Sequence, residues 1–112
     1  MVEKIVLDYL NKYGSVPSYM ERPENAPPEY CLIEKTGSAT ANQLTTATIA
    51  VQSYAKSLYR ASVLNTDVIE LLRLLPKYSN DISGVQLNSD GNFTNAAAKQ
   101  YRYQAVFTIT HY

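Results

Sequence analysis

The sequence has 112 residues, which is enough for one compact domain with a modest hydrophobic core and too few for a second domain. Ten Lys and Arg side chains balance ten Asp and Glu side chains, so the formal net charge at pH 7 is zero. This balance argues against a dedicated nucleic-acid binder, and it leaves little charge repulsion between copies of the chain.

The aromatic residues are almost all tyrosine: ten Tyr, two Phe and no Trp. Tyrosine combines an apolar ring with a hydroxyl group and is enriched at protein–protein interfaces. It is equally common in the cores of β-rich domains. The composition is therefore compatible with an assembly component and with an ordinary core.

Soft ligands are scarce, because Cys31 is the single cysteine and His111 the single histidine. An intramolecular disulfide is excluded, and neither a metal site nor a cofactor is expected. Charged residues interrupt the apolar residues of the N-terminal segment, so we expect neither a signal peptide nor a membrane span. A chain of this kind is expected in a reducing cytoplasm.

The first predicted element is an amphipathic helix over Val2–Tyr13, whose apolar residues recur at the spacing of one helical face. Gly14 follows, where a left-handed residue typically ends a helix. Ser15–Met20 contains a proline and is predicted to be an edge strand. Residues 21–29, ERPENAPPE, are predicted to be a stiff surface connection.

Two strands and a loop are predicted next. Tyr30–Lys35 is a candidate strand, and the small polar residues Thr36–Gln43 are predicted to form a mobile hairpin loop. Leu44–Tyr54 is predicted to be a central strand because β-branched residues are frequent in it. Alternation assigns its core face to Ala47, Ile49 and Val51, and its other face to Thr46, Thr48, Ala50 and Gln52.

A second helix is predicted from about Lys56 to Leu75, ended by Pro76. A short strand over Ile82–Leu87 follows, then a turn at Asn88–Asn92 and a helical half-turn at Ala96–Lys99. The C-terminal run is predicted to be a strand whose core-facing residues are Tyr101, Tyr103, Ala105, Phe107, Ile109 and His111.

The element order is therefore α-β-β-β-α-β-β, over a single domain that spans residues 1–112. Strands in a block between two helices favour the α+β class. We expect one mixed, mostly antiparallel sheet with the two amphipathic helices on one face, and its strand order stays open.

Catalytic chemistry has little support in the sequence, and we expect no enzyme. His111 lies next to the C-terminal residue, Cys31 lies in an apolar run, and the four glycines are dispersed at turns. The Tyr101-Arg102-Tyr103 triplet is compatible with a base-stacking platform for single-stranded nucleic acid, but it is more typical of a strand that meets another protein.

Four stretches carry a resemblance to a known family. They are residues 16–38, VPSYMERPENAPPEYCLIEKTGS; 43–65, QLTTATIAVQSYAKSLYRASVLN; 85–95, VQLNSDGNFTN; and 99–112, KQYRYQAVFTITHY. Together they resemble the tail terminator, or tail completion, proteins of long-tailed bacteriophages and prophages of Gram-positive bacteria.

That resemblance implies a small α+β subunit that forms a ring, typically a hexamer, at the head-proximal end of the virion tail. Such a ring caps the tail tube, stops its polymerisation and then docks to the head–tail connector or neck protein. The implied partners are further copies of the chain, the tail-tube protein and the connector, with no membrane and no sequence-specific nucleic acid. A head-completion or neck protein is the alternative, and a small nucleic-acid-binding module is a more distant one.

Interface residues follow from physical arguments rather than from the resemblance. Unpatterned polar loops often become ordered on meeting a partner, and uncharged sheet faces are covered with little desolvation cost. An edge segment near Val16–Met20, or the C-terminal strand, is expected to pair between neighbouring subunits. The candidate interface residues are Thr36, Gly37, Ser38, Thr40, Asn42, Gln43, Thr46, Thr48, Arg102 and Gln104.

Overall fold

The computed structural model describes residues 2–41, 44–94 and 100–112 of the chain. Its three helices and five strands follow the predicted order, with one additional short helix. In chain order they are α1 (Val2–Tyr13), β1 (Ser18–Tyr19), β2 (Tyr30–Ala41), β3 (Leu44–Ala55), α2 (Leu58–Arg73), α3 (Leu75–Tyr78), β4 (Ile82–Asn92) and β5 (Tyr101–His111).

The strands form a single sheet in the spatial order β1-β2-β3-β5-β4. The short β1 pairs parallel with β2, and every other neighbouring pair is antiparallel. The prediction of a mixed, mostly antiparallel sheet in an α+β domain is therefore confirmed. The C-terminal strand β5 lies between β3 and β4 and not at an edge.

One face of the sheet forms the core with the helices. Its fully buried side chains include Ile49 and Val51 of β3 and Phe107 and Ile109 of β5, as the alternation in both strands predicts. They cluster with apolar residues of the helices, namely Val2, Val6, Tyr9 and Leu10 of α1, Val68 and Leu72 of α2, and Leu75 of α3. Burial of this shared surface is the main stabilising contribution to the fold.

Helix α1 has the predicted bounds, but Gly14 ends it for a different reason from the one expected. Gly14 does not adopt the left-handed conformation. Its amide donates to the Leu10 carbonyl at 2.8 Å, and a Cβ atom at this position would lie only 2.5 Å from that oxygen. A side chain is thus excluded by the close approach of the two backbone segments.

The predicted second helix is divided in the structure. Ser57 caps α2 by accepting a hydrogen bond from the Arg60 amide, and α2 ends at Arg73, before the predicted Leu75. Pro76 does not end the helical segment, because it lies in the first turn of α3. Backbone amides in a first turn have no acceptor within the helix, so the amide hydrogen that proline lacks is not needed there.

A predicted hairpin loop and a predicted turn belong to strands instead. Residues Thr36–Ala41 continue β2, so the predicted loop is wrong for them, while residues 42 and 43 lie outside the described residues. The predicted turn at Asn88–Asn92 is part of β4, with a bulge between Leu87 and Ser89. In both places cross-strand pairing overrides weak local preference. The half-turn predicted at residues 96–99 also lies outside the described residues.

Tyrosines that share a predicted core face differ in burial. Tyr9 is buried, and its hydroxyl donates to the Leu71 carbonyl at 2.6 Å. Tyr13 and Tyr101 are exposed, and Tyr103 is half-buried. The exposed ring of Tyr13 packs instead against Tyr9 and Tyr78, with ring centroids 5.2 Å and 5.1 Å away.

Candidate assembly surface

The first candidate surface is the outer face, which we define as the sheet side opposite the buried core. Its central part pairs Thr46, Thr48, Ala50 and Gln52 of β3 with Thr110, Thr108, Val106 and Gln104 of β5, in that order. The predicted interface residues Thr46, Thr48 and Gln104 therefore lie together on one surface. Arg102 joins them at the end of the row, opposite Tyr54.

This outer face has very little charge. On this face, β3 contributes no Asp, Glu, Lys, Arg or His side chain, β5 contributes only Arg102, and β2 contributes Glu34, which lies opposite Ala50. Strand β4, on the other side of β5, contributes no charge to it, because its Asp90 lies opposite Ala105 on the helix side of the sheet. Covering such a surface with another protein requires little desolvation of charge, and small threonine side chains keep it even.

A chain of hydrogen bonds fixes the polar side chains at one end of the outer face. Gln52 Nε2 donates to Gln104 Oε1 at 3.1 Å, and the Tyr54 hydroxyl donates to Gln52 Oε1 at 2.9 Å. Arg102 Nη1 donates to the Tyr54 hydroxyl at 3.4 Å. These hydrogen bonds hold the side chains in place within the subunit, so a protein that covered this end of the face would not have to order them.

Arg102 is not part of a base-stacking platform with its sequence neighbours. It lies on the outer face, whereas Tyr101 and Tyr103 alternate to the opposite face. Its guanidinium carbon lies 5.9 Å from the centroid of the Tyr54 ring, and its Nε donates to the Phe93 carbonyl at 3.1 Å. The Tyr54 ring in turn stacks on the buried Tyr30, with centroids 4.8 Å apart.

The second candidate surface consists of the two outer edges of the sheet. Strand β1 pairs only with Cys31 and Leu32 of β2. Within the described part of the chain, the outer edge of β2 from Ile33 to Ala41 has no strand beside it, and neither has the outer edge of β4. We call these the β2 edge and the β4 edge.

The remaining predicted interface residues belong to the β2 edge. Thr36, Gly37, Ser38 and Thr40 lie along it, and Thr36 Oγ1 donates to the Thr48 carbonyl at 3.4 Å. Asn42 and Gln43 lie outside the described residues. The described candidate interface residues thus form two groups. One lies on the outer face, in β3 and β5, and the other lies along the β2 edge, in the strand next to β3.

Sequence reasoning missed the β4 edge and wrongly offered β5 as a strand for pairing between subunits. β5 has strands on both sides, so its backbone groups are already paired. The alternation of β5 between an apolar and a mostly polar face is compatible with an edge strand as well as with a central one, so the strand itself carries no signal of its position. The predicted edge position of residues 18–19 agrees with β1.

Cys31, the one cysteine in the sequence, is a buried free thiol. Burial raises the pKa of the Cys31 thiol to about 11, an effect only partly opposed by hydrogen bonds from Ser53 and Ser18. In the described ranges, no three His, Cys, Asp or Glu side chains form a group that could hold a metal ion. No helix in the same ranges is long and apolar enough to cross a membrane.

Two comparisons with known proteins find no match for the chain. A scan against models of protein families finds none that matches the chain, and a search of curated proteins likewise finds no match. A functional assignment therefore depends on the surfaces described above and on the motifs in the sequence.

Proposed function

We propose that this protein is a tail terminator of a long-tailed phage or prophage, a structural subunit that assembles as a ring on the end of the tail tube. The observation that carries the proposal is the outer face: an even, nearly uncharged sheet surface that no helix covers among the described elements. Its partly exposed threonines and glutamines suit a surface that is wet in the free subunit and covered in the assembly. The sequence resemblance to tail terminators supplies the identity of the partner.

The mechanism is a block on addition. A ring that stacks its outer face on the last ring of the tube covers the surface to which the next tube subunit would bind. The helical side of the ring carries the charged residues of α1 and α2, among them Lys4, Asp8 and Asp67, and so differs chemically from the outer face. Tube protein has no matching site there, so growth stops and the helical side is free for the head connector.

The direct test is binding to purified tail-tube protein, measured by co-sedimentation or pull-down. Thr48→Lys combined with Thr108→Lys adds two unpaired cations to the centre of the outer face, and we expect it to reduce binding at least tenfold, since a charge covered without a partner is costly. Thr66→Lys, on the exposed side of α2, is the matched control and should bind like the wild type. Equal binding by all three proteins would contradict the assigned face.

The outcome also separates the terminator from its alternatives. Capture by portal protein and not by tube protein would favour a head-completion or neck protein. Salt-dependent binding to single-stranded DNA that weakens in Arg102→Ala would favour a nucleic-acid module. In the phage, loss of the protein should give tails of uncontrolled length that do not join heads, and tails of normal length would refute the terminator function.

A further inference from the structure

We propose that the Arg102 end of the outer face is a carboxylate-binding site, which takes an Asp or Glu side chain of the tail-tube subunit that the face covers. The inference rests on the proposed function and names the group that the partner presents. It is carried by the chain of hydrogen bonds that runs from Arg102 through Tyr54 and Gln52 to Gln104, because the direction of this chain leaves only donors free.

Arginine sets the direction of this chain, because a guanidinium donates hydrogen bonds and does not accept them. The Tyr54 hydroxyl accepts from Arg102 Nη1 at 3.4 Å, so its own proton is directed to Gln52 Oε1, which lies 2.9 Å away. With its oxygen facing Tyr54, Gln52 presents Nε2 to Gln104 Oε1 at 3.1 Å. The Gln104 amide is thereby oriented with its oxygen inside the chain and its Nε2 group outside it.

The groups left over at the two ends of the chain are therefore donors. Among the described residues, neither Arg102 Nη2 nor Gln104 Nε2 has a hydrogen-bond acceptor, whereas each side-chain oxygen in the chain already accepts one bond. Arg102 and Gln104 are two residues apart in β5 and lie on the same face of the sheet. A ligand that matches two neighbouring sets of donors offers acceptors only, and an ionised carboxylate is the protein side chain with that property.

Burial distinguishes Arg102 from the other cations. It alone is not exposed among the described Lys and Arg residues, and the ion pairs of that part of the chain involve Lys4, Lys35 and Arg60 instead. A partner that covers the outer face removes the remaining water from this half-buried side chain, and a guanidinium covered without an anion is costly. The positive charge of Arg102 therefore selects a carboxylate over a neutral acceptor.

The Arg102 side chain is held in place within the subunit. Its Nε donates to the Phe93 carbonyl at 3.1 Å, and its guanidinium carbon lies 5.9 Å from the centroid of the Tyr54 ring. The Tyr54 ring itself stacks on buried Tyr30. A long side chain fixed in this way loses little conformational entropy on binding, and arginine is enriched among the residues that dominate interface energies.

A nucleic-acid phosphate would also accept from Arg102. The same face, however, carries the carboxylate of Glu34, and the central strand β3 and the outer strand β4 add no second cation to it. Phosphate backbones are bound by several cations together. The outer face therefore favours a single carboxylate on a protein over a phosphate backbone.

The first test measures binding to purified tail-tube protein by variants of the two free donors. Gln104→Glu keeps the oxygen that accepts from Gln52 and changes only the outward Nε2 group, so the fold should be retained. We expect it to weaken binding about tenfold or more, since the new charge repels a partner carboxylate and neutralises Arg102. Arg102→Gln should weaken binding by a similar factor. Asn80→Asp makes the same amide-to-carboxylate change in the exposed turn between α3 and β4 and should bind like the wild type.

The second test identifies the partner group chemically. Arg102→Lys places a primary amine at this position, and a carbodiimide joins an amine to a carboxylate in contact with it as an amide, with loss of water. We expect mass spectrometry to find a cross-linked peptide that connects residue 102 to an Asp or Glu of the tail-tube protein. Thr66→Lys, on the exposed side of α2, is the control and should give no such link at residue 66.

Wild-type binding by both Gln104→Glu and Arg102→Gln, with weakened binding by the Thr48→Lys and Thr108→Lys double variant, would overturn the carboxylate site and leave the terminator function intact. Cross-linking at residue 102 that is no more frequent than at residue 66 would overturn the site as well. So would single-stranded DNA that binds the wild type and not Arg102→Gln, because the ligand would then be a phosphate. Failure of the wild type itself to bind tail-tube protein would refute the proposed function.

Discussion

Glu29 and Arg60 form a two-pronged ion pair that ties the end of the proline-rich connection to the first turn of α2. Arg60 Nε donates to Glu29 Oε2 at 2.9 Å, and Nη2 donates to Oε1 at 3.0 Å. Because these hydrogen bonds favour the charged carboxylate, they lower the pKa of Glu29 below its ordinary value of 4.5. Planar two-point contacts of this kind fix orientation as well as charge.

Glu29→Gln should remove a stabilising contribution that exists only when the carboxylate is ionised. The folded state holds a lower Glu29 pKa than the unfolded state, so the contribution is present above the ordinary pKa and is lost as the pH falls through the folded value. Urea titrations should show a small deficit in the variant near neutral pH that disappears as the pH falls below 4.5 and through the lower folded pKa of Glu29, and added salt should shrink it. A deficit that stayed constant down to low pH would contradict this assignment.

Tyr9→Phe should cost about 1 kcal/mol of unfolding free energy, since it leaves the Leu71 carbonyl without the donor that lies 2.6 Å away. Tyr13→Phe is the control, because its hydroxyl is exposed with the ring. Burial, with smaller effects of Tyr78 and Tyr13, raises the pKa of Tyr9 above 10.0. The folded state therefore keeps this proton longer than the unfolded state, and its contribution to stability falls as the pH rises through the folded value. Chemical denaturation at neutral and at high pH would measure both effects, and equal losses in the two variants would refute the assigned hydrogen bond.

Cys31 should resist alkylation in the folded protein. Its pKa of about 11 leaves very little thiolate at neutral pH, and its side chain is buried beside Ser53, with Sγ 3.6 Å from Oγ. Iodoacetamide at about pH 8 should modify the thiol only after unfolding in urea, as followed by mass spectrometry. Thr66→Cys offers an exposed comparison thiol, and rapid native labelling of Cys31 at the rate of that thiol would show that the site opens readily.

Phe107→Ala should destabilise the fold by about 3–5 kcal/mol, because Phe107 is fully buried at the centre of the core. Phe93→Ala makes the same chemical change at a ring that is 47% exposed, and it should stay within about 1 kcal/mol of the wild type. Equilibrium urea unfolding, with circular dichroism as the signal, compares the two. Similar losses would mean that the core is centred elsewhere.

Ser57→Ala should cost about 1 kcal/mol, since it removes the oxygen that accepts from the Arg60 amide at 3.1 Å at the start of α2. Ser57→Asp retains an acceptor at the cap and should recover most of the loss. Thermal unfolding would measure the change. If Ser57→Asp were as unstable as Ser57→Ala, the Ser57 hydroxyl would have to stabilise the fold through another contact.

The elements that the sequence predicts well are those whose pattern is strong within the element itself. The apolar spacing of Val2–Tyr13 gives the bounds of α1, and the alternation around Ile49 and Phe107 gives the buried face of the sheet. Residues Thr36–Ala41 and Asn88–Asn92 lack such a pattern, because their strand state depends on partners that are distant in sequence. Ala39 pairs with Thr46, and Asp90 pairs with Ala105.

The candidate surfaces divide in the same way. Alternation alone assigns Thr46, Thr48 and Gln104 to one uncovered side of the sheet. The outer face can therefore be predicted from the sequence. The edges depend on strand order, which places β5 inside and leaves β4 outside. No local pattern in β4 indicates that position, and strand order follows from how the whole chain packs.

The two-residue strand β1 has a consequence for the edge of the sheet beside it. It occupies the hydrogen-bonding groups of Cys31 and Leu32 on the outer side of β2, so a strand arriving from outside can begin only at Ile33. This small parallel pair therefore marks one end of the stretch of β2 that is open to another strand. Removing β1 would therefore extend the unpaired edge of β2 toward the buried end of the strand, where Tyr30 and Cys31 lie.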